Sequence, residues 1–297
     1  MLFARTAELC IICLKEPPFP DGSGFSKEHV IPNSLGGILT CEFLCKSCND
    51  RFGNGFEARA KTDPSIRLAI SNLHQELPVL YNAIESGQLY NISTNAGNLP
   101  GKFSEGTIRG RTRKMPDNSL MVPEEQTDRK LREMLKKDGL DTAKIEGALK
   151  RFEQAAPEQE IEIVPGMIVI KRLATAASQN LGGGVLLDPL VCLKIVYEFA
   201  ALLFGPPVFV NNPALNEIRR ALRERDKGSS AFRVDILNAS TYRTFHGIAF
   251  EGNGANATFQ VRLFGRLAYR VHLPKLSFDH RPIAYTHHLT TGEETLN

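Results

Sequence analysis

Two short turns, Cys10-Ile11-Ile12-Cys13 and Cys45-Lys46-Ser47-Cys48, bracket the stretch Lys27-Glu28-His29-Val30-Ile31-Pro32-Asn33-Ser34-Leu35-Gly36-Gly37, and Asn49 directly follows the second turn. A gap of two residues lets both thiolates of a turn face one ion. Two such turns complete a tetrahedron of sulfur with no open position, which predicts a structural Zn²⁺ on Cys10, Cys13, Cys45 and Cys48. The 31 residues between the turns exceed a zinc-ribbon spacing, so a folded insert is expected there. Its pattern is a short apolar strand beside the adjacent Glu28 and His29, then Pro32, a Gly36-Gly37 turn and a second strand from Ile38 to Leu44 rich in β-formers. A helix is predicted to start near Ser47 and to carry Asn49, Phe52 and Phe56. Two strands and a helix, clamped at their base by zinc, would bring Glu28, His29 and Asn49 together.

The order CxxC, acidic residue plus His, Pro, Gly-Gly and CxxCN resembles the HNH endonuclease family in its zinc-stapled form, over residues 10 to 56. The resemblance implies a ββα-metal nuclease module with His29 as the general base that activates water. It also implies that Glu28 and Asn49 bind one catalytic divalent metal at the scissile phosphate. The middle Asn or His of the family aligns with Thr40, so the resemblance hands the orienting of the base loop to Thr40 or to backbone. The residue types suit this chemistry on their own terms. Imidazole supplies a base near neutral pH, and a cation neutralises charge on the phosphate oxygens. Carboxylate plus amide oxygen is a hard donor set that suits Mg²⁺ or Mn²⁺, while Zn²⁺ goes to the thiolates. Cys41 reads as core-facing and Cys192 as packing.

Beyond this segment the chain reads as ordinary globular sequence. Its 297 residues are 42% apolar and 23% charged without Trp, which excludes a disordered or fibrous protein and leaves room for about two domains. A formal charge of +3 permits a DNA partner without arguing for one, because phosphate binding needs a local basic patch. The first residues lack a signal-peptide pattern, and the apolar run Val185 to Phe204 carries Asp188, Lys194 and Glu198, so it reads as a buried helix and not a bilayer span. A cytoplasmic protein without membrane contact is expected, where thiols stay reduced and paired cysteines favour metal over disulfide.

The predicted organisation is α+β: a zinc-stapled module at 1–60, a helical linker at 61–86, and a larger α+β domain with antiparallel strands at 87–297. Helices are predicted at 124–137, 141–155, 188–204 and 213–225, and strands at 161–173, 232–237, 245–250 and 258–273. Arg109, Arg111, Arg113 and Lys114 form one candidate DNA-backbone patch, and Arg219, Arg220 and Arg223 another on the outer face of the last helix. The large domain carries no phosphate loop, nucleophile elbow or dinucleotide fingerprint. Its apolar helix and long final strands offer a homodimer interface. The leading expectation is a metal-dependent DNA endonuclease, with restriction or anti-phage defence as its context. The alternative keeps the zinc site without catalysis, as a nucleic-acid-binding or scaffold protein.

Overall fold

The computed structural model describes residues 7–84, 90–94, 97–104, 107–110, 113–114, 120–121, 127–155, 160–164, 167–170, 187–237, 239, 241–253, 256–278 and 280–297. The architecture is α+β, and the chain divides into two compact units, one formed by residues 1–86 together with 184–297 and the other by 87–183. This differs from the reading of 87–297 as one domain. The reason is packing: the cysteine-rich segment and the C-terminal third share a single hydrophobic core, in which Ile11, Phe43, Leu44 and Phe52 join Val191, Tyr197, Phe259 and Val271.

In the first unit, β1 (Phe25–His29) and β2 (Thr40–Cys45) pair antiparallel, and α1 (Lys46–Phe52) follows without a loop. The predicted helix does not run straight through to Phe56. A wide turn at Gly53–Glu57 departs from helical geometry at Gly55 and leads into α2 (Ala58–Ala60), which keeps Phe52 and Phe56 both buried with ring centroids 5.2 Å apart. The linker is two helices. α3 (Pro64–Asn72) starts with Pro64 in the first turn and the Asp63 carboxylate accepting from the Ser65 and Ile66 amides, and α4 (Pro78–Ile84) follows.

The C-terminal part of this unit begins with α7 (Pro189–Phe204), capped by Asp188 and stopped at Gly205. α8 (Pro206–Asn211) and α9 (Asn216–Glu224) come next. Six strands then form one antiparallel sheet: β10 (Arg233–Leu237), β11 (Phe245–Asn253), β12 (Asn256–Leu263), β13 (Leu267–Pro274), β14 (Ile283–His288) and β15 (Glu294–Leu296), in the order β10-β13-β12-β11-β14-β15. Strict alternation of buried and half-buried residues along β12 marks one face as core. The single strand expected at 258–273 is a hairpin, β12 and β13, and β14 and β15 had no counterpart in the sequence reading. α7 contacts β10 to β13 and also the Gly53–Glu57 turn, so it lies between the sheet and the cysteine-rich segment. Among the described residues no helix is long and apolar enough to cross a membrane.

The second unit contains the antiparallel strands β3 (Tyr90–Thr94), β4 (Gly97–Ser104) and β5 (Thr107–Gly110), and the pair β6 (Arg113–Lys114) and β7 (Leu120–Met121). Two helices, α5 (Thr127–Lys137) and α6 (Thr142–Gln154), pack through Leu131, Leu135, Ile145, Ala148 and Leu149. Asp141 caps α6, as the sequence predicts. The hairpin β8 (Glu160–Val164) and β9 (Met167–Ile170) completes it.

Candidate active site

The two CxxC turns converge. Cys45 is the last residue of β2 and the residue before the first turn of α1, so Cys48 lies one helical turn away from it. The Ile11 amide donates to the Phe43 carbonyl at 3.0 Å, which holds the first turn against β2, and the Cys45 amide donates to Cys10 Sγ at 3.3 Å. All four sulfurs lie within 4.8 Å of one another, and Cys13 Sγ and Cys45 Sγ are 3.8 Å apart. A tetrahedron with Zn–S bonds of about 2.3 Å has sulfur separations of about 3.8 Å, so the cluster fits structural zinc. Its electrostatics call for a cation. A hydrogen bond from the Cys48 thiol holds Cys10 down to about 5, whereas burial, followed by the Cys10 charge, pushes Cys13 up to about 11. That same hydrogen bond, with burial added, drives Cys48 far above the ordinary thiol range. One thiolate is accommodated and further ones are resisted until positive charge compensates them.

Midway along the strands a bulge shifts the register. The β1–β2 register pairs Ser26 with Leu44 and Glu28 with Cys41, so Glu42 and Phe43 of β2 together oppose the single residue Lys27 and the extra residue lies on β2. Asn49 on α1 holds β1 opposite that bulge: its Nδ2 donates to the Lys27 carbonyl at 3.2 Å and to Ser26 Oγ at 3.1 Å. Asn49 is thereby tied to the backbone two residues from His29. His29 closes the ladder opposite Thr40 and is half-buried. Burial, reinforced by the charges of Lys194 and Lys27 and opposed by Glu57, holds its imidazole below the usual histidine range. A neutral ring near pH 7 is the state a general base needs.

After β1 the chain turns tightly. The Leu35 and Gly37 amides donate to the Pro32 carbonyl, and Gly36 adopts a left-handed φ of 88°. At Gly37 a Cβ would lie 2.0 Å from the Ile31 carbonyl oxygen, so only glycine fits. Two buried groups from the C-terminal part then hold this turn. His246 donates from Nε2 to the Leu35 carbonyl at 2.9 Å and accepts the Phe264 amide at Nδ1. Lys194, fully buried on α7, donates to Glu28 Oε1 and to the His29 carbonyl, each at 2.5 Å, and lies 3.4 Å from the Val30 carbonyl. Its Nζ also stands 2.9 Å from Glu57 Oε1 and from Glu198 Oε2, ion pairs that miss hydrogen-bond geometry. Burial opposes the lysine charge, but Glu198, Glu57 and Glu28 together hold it well above the ordinary lysine value.

Residues 10–65 match the HNH endonuclease family. No curated protein and no solved structure matches the chain. The matched HNH module contains both CxxC turns, β1, β2 and α1, and an HNH module implies a nucleic-acid substrate. Its boundary lies in α3, beyond Glu57, so that carboxylate belongs to the matched segment as well.

The structure places Glu28 and His29 at the end of β1, opposite Cys41 and Thr40, and Asn49 on α1, bound to Ser26 and Lys27. The second basic patch is only partly exposed. Arg219 was expected on the outer face of its helix; it is instead 3% exposed, donating to the Ile11 carbonyl at 3.0 Å, to Asn216 Oδ1 at 2.5 Å and to the Phe209 carbonyl. A guanidinium with several donors can satisfy backbone carbonyls in a tightly packed interface, and here it braces the first CxxC turn. Arg220 and Arg223 are exposed. Arg109 lies in β5 and Arg113 and Lys114 in β6 of the other unit; their side chains, and Arg111 altogether, fall outside the described residues. Sequence reasoning missed Lys194, Glu198, Glu57 and His246 as parts of this site. A Lys and a Glu four residues apart inside an apolar helix were the available signal, because such groups are buried only when paired.

Proposed function

We propose that this protein is a metal-dependent endonuclease that hydrolyses DNA phosphodiester bonds, with the HNH module as its catalytic centre and His29 as its general base. The observation that carries this reading is a half-buried imidazole at the end of β1, held below the usual histidine range, directly after Glu28 and two residues from the Lys27 carbonyl that Asn49 holds. His29 takes a proton from water, and the Cys10, Cys13, Cys45 and Cys48 clamp fixes the ladder that holds it. Glu28 and Asn49 would hold Mg²⁺ or Mn²⁺, and their oxygens are of the hard type such ions prefer. The charge balance nearby also suits a cation, since three carboxylates face one ammonium and Glu57 Oε1 is buried without a hydrogen-bond partner. When bound, the ion supplies positive charge to the phosphate oxygens in the transition state. Thr40, opposite His29, supports the base through the ladder. Arg220 and Arg223, with Arg109, Arg111, Arg113 and Lys114, are the candidate backbone contacts, and restriction or anti-phage defence is the proposed context.

Incubating supercoiled plasmid with the protein in Mg²⁺, Mn²⁺ or EDTA tests this. Nicked circles that appear with either metal and vanish with EDTA support it; intact plasmid in every condition removes it. The burial of Glu28, 6% exposed and bound to Lys194, favours a second reading, a zinc-stabilised nucleic-acid-binding protein without cleavage. Retarded but uncut DNA would identify that case.

A further inference from the structure

We propose that Lys194, on a helix far along the chain from the HNH module, is the positioning residue for the turn that carries the base. The proposal rests on the nuclease reading. Thr40 stands where the family pattern has the residue that orients the base loop, and Thr40 is itself a member of β2, paired with His29. Lys194 reaches the same turn from α7. Among the described residues its side chain bonds both the His29 carbonyl and the neighbouring Glu28 carboxylate, at 2.5 Å each. Holding consecutive carbonyls at His29 and Val30 fixes the backbone from which the imidazole projects.

The surroundings of Lys194 make that grip rigid. An ammonium in the core is tolerated only when it is fully paired. Here Glu198, one turn along α7, and Glu57, from the turn after α1, both stand 2.9 Å from Nζ. Their carboxylates compensate the buried charge without taking a hydrogen bond, leaving the three ammonium donors for Glu28 and the His29 and Val30 carbonyls. The other ties between the module and the C-terminal part act elsewhere. Tyr197 and Arg219 grip the Ile11 carbonyl, and His246 grips Leu35. Lys194 alone of these bonds the base residue itself, so catalytic geometry is set jointly by β1 and α7.

A displacement of about 1 Å at a reacting group costs about 10²-fold in rate, and this is the size of loss expected when Lys194 is removed. Because Lys194→Met strips the counter-charge from buried carboxylates and can block folding, full-length Lys194→Met with Glu198→Leu is measured beside it. The expected result is a folded, zinc-loaded double variant that binds plasmid in EDTA with wild-type affinity, keeps its KM for DNA, and cleaves with kcat lowered about 10²-fold. Lys194→Arg, which keeps charge and donors, is expected to recover most of that loss. A folded double variant with wild-type kcat overturns the positioning role and leaves the nuclease reading intact. A wild-type protein that cleaves nothing in Mg²⁺ or Mn²⁺ ends both.

Discussion

The two ends of the β1–β2 ladder are held by different means. At the zinc end, four sulfurs drawn from two turns of the same 40-residue stretch converge within 4.8 Å, and every ligand is local. At the base end, the turn carrying His29 is fixed by Lys194 and His246, which lie 165 and 211 residues along the chain from the carbonyls they hold. The zinc end resembles a self-sufficient small domain stapled by metal. The base end is held by groups from outside the matched module, in keeping with the core that the module shares with the C-terminal sheet.

The largest effect should come from the zinc end. Structural zinc contributes about 10–16 kcal/mol of apparent binding energy in small zinc peptides, a scale comparable to the whole stability of a domain. Cys48→Ser is therefore expected to abolish zinc stoichiometry, melt the first unit and eliminate cleavage, read by metal analysis and thermal circular dichroism. If the variant kept its melting transition without zinc, the C-terminal tethers would suffice for both ends and the contrast would collapse.

Next in size is the base itself. His29→Ala should lower cleavage by about 10²- to 10⁴-fold while zinc content and melting temperature stay near wild type, since the role proposed for the ring is to activate water and not to fill the core. In the same assay, Asn49→Ala should retain zinc and raise the Mg²⁺ concentration needed for half-maximal rate. Unchanged plasmid nicking by His29→Ala would detach the chemistry from the base end altogether.

The contrast also explains what the sequence could convey. CxxC spacing encodes the zinc site because its ligands are close in sequence and sulfur chemistry tolerates few alternatives. The Glu28-His29 pair, the Gly-Gly turn and the capped helix at Asp141 were legible for the same local reason. Lys194 was legible only as an odd charge in an apolar helix, since no periodicity states which distant carboxylate it will meet. Arg219 was misread because helical spacing gives the angle of a residue on its helix, not which neighbours pack there; its guanidinium found the Ile11 carbonyl. The break in the 87–297 domain was hidden likewise, for nothing in α7 announces that one side faces the sheet and another the HNH module.

A smaller, pH-dependent effect should sharpen the picture of the base end. Burial, against the opposing hydrogen bond to Leu35, holds His246 down to about 4 from the ordinary 6.5. Folding thus favours the neutral ring, so its contribution is fully present above pH 6.5 and is lost as pH falls from there toward 4. The total is on the order of 3 kcal/mol. Other groups also titrate in this window, and the difference between wild type and His246→Leu isolates the imidazole. That stability gap should be flat above pH 7 and close as pH drops to 4, as followed by urea unfolding. A gap that stays constant to pH 4 would mean that the ring does not carry the turn as a neutral donor.

The smallest effect belongs to the outside tethers of the zinc end, and it bears most directly on the contrast. Tyr197 donates to the Ile11 carbonyl at 2.7 Å, and Arg219 Nε donates to the same oxygen at 3.0 Å. Removing one of two donors does not orphan the acceptor, so the heavy penalty for an unsatisfied buried group is avoided. Tyr197→Phe keeps the ring, including its edge-on contact with Phe209 at 5.0 Å, and deletes only the hydroxyl. A loss of about 0.5–1.5 kcal/mol is expected, seen as a lower urea midpoint with an unchanged m-value, while zinc stoichiometry and kcat remain at wild-type values. A redundant tether should behave in this way, whereas the single grip of Lys194 on the His29 carbonyl should register in the rate. Should Tyr197→Phe instead reduce zinc binding or slow cleavage, the zinc end would depend on the C-terminal part as much as the base end does.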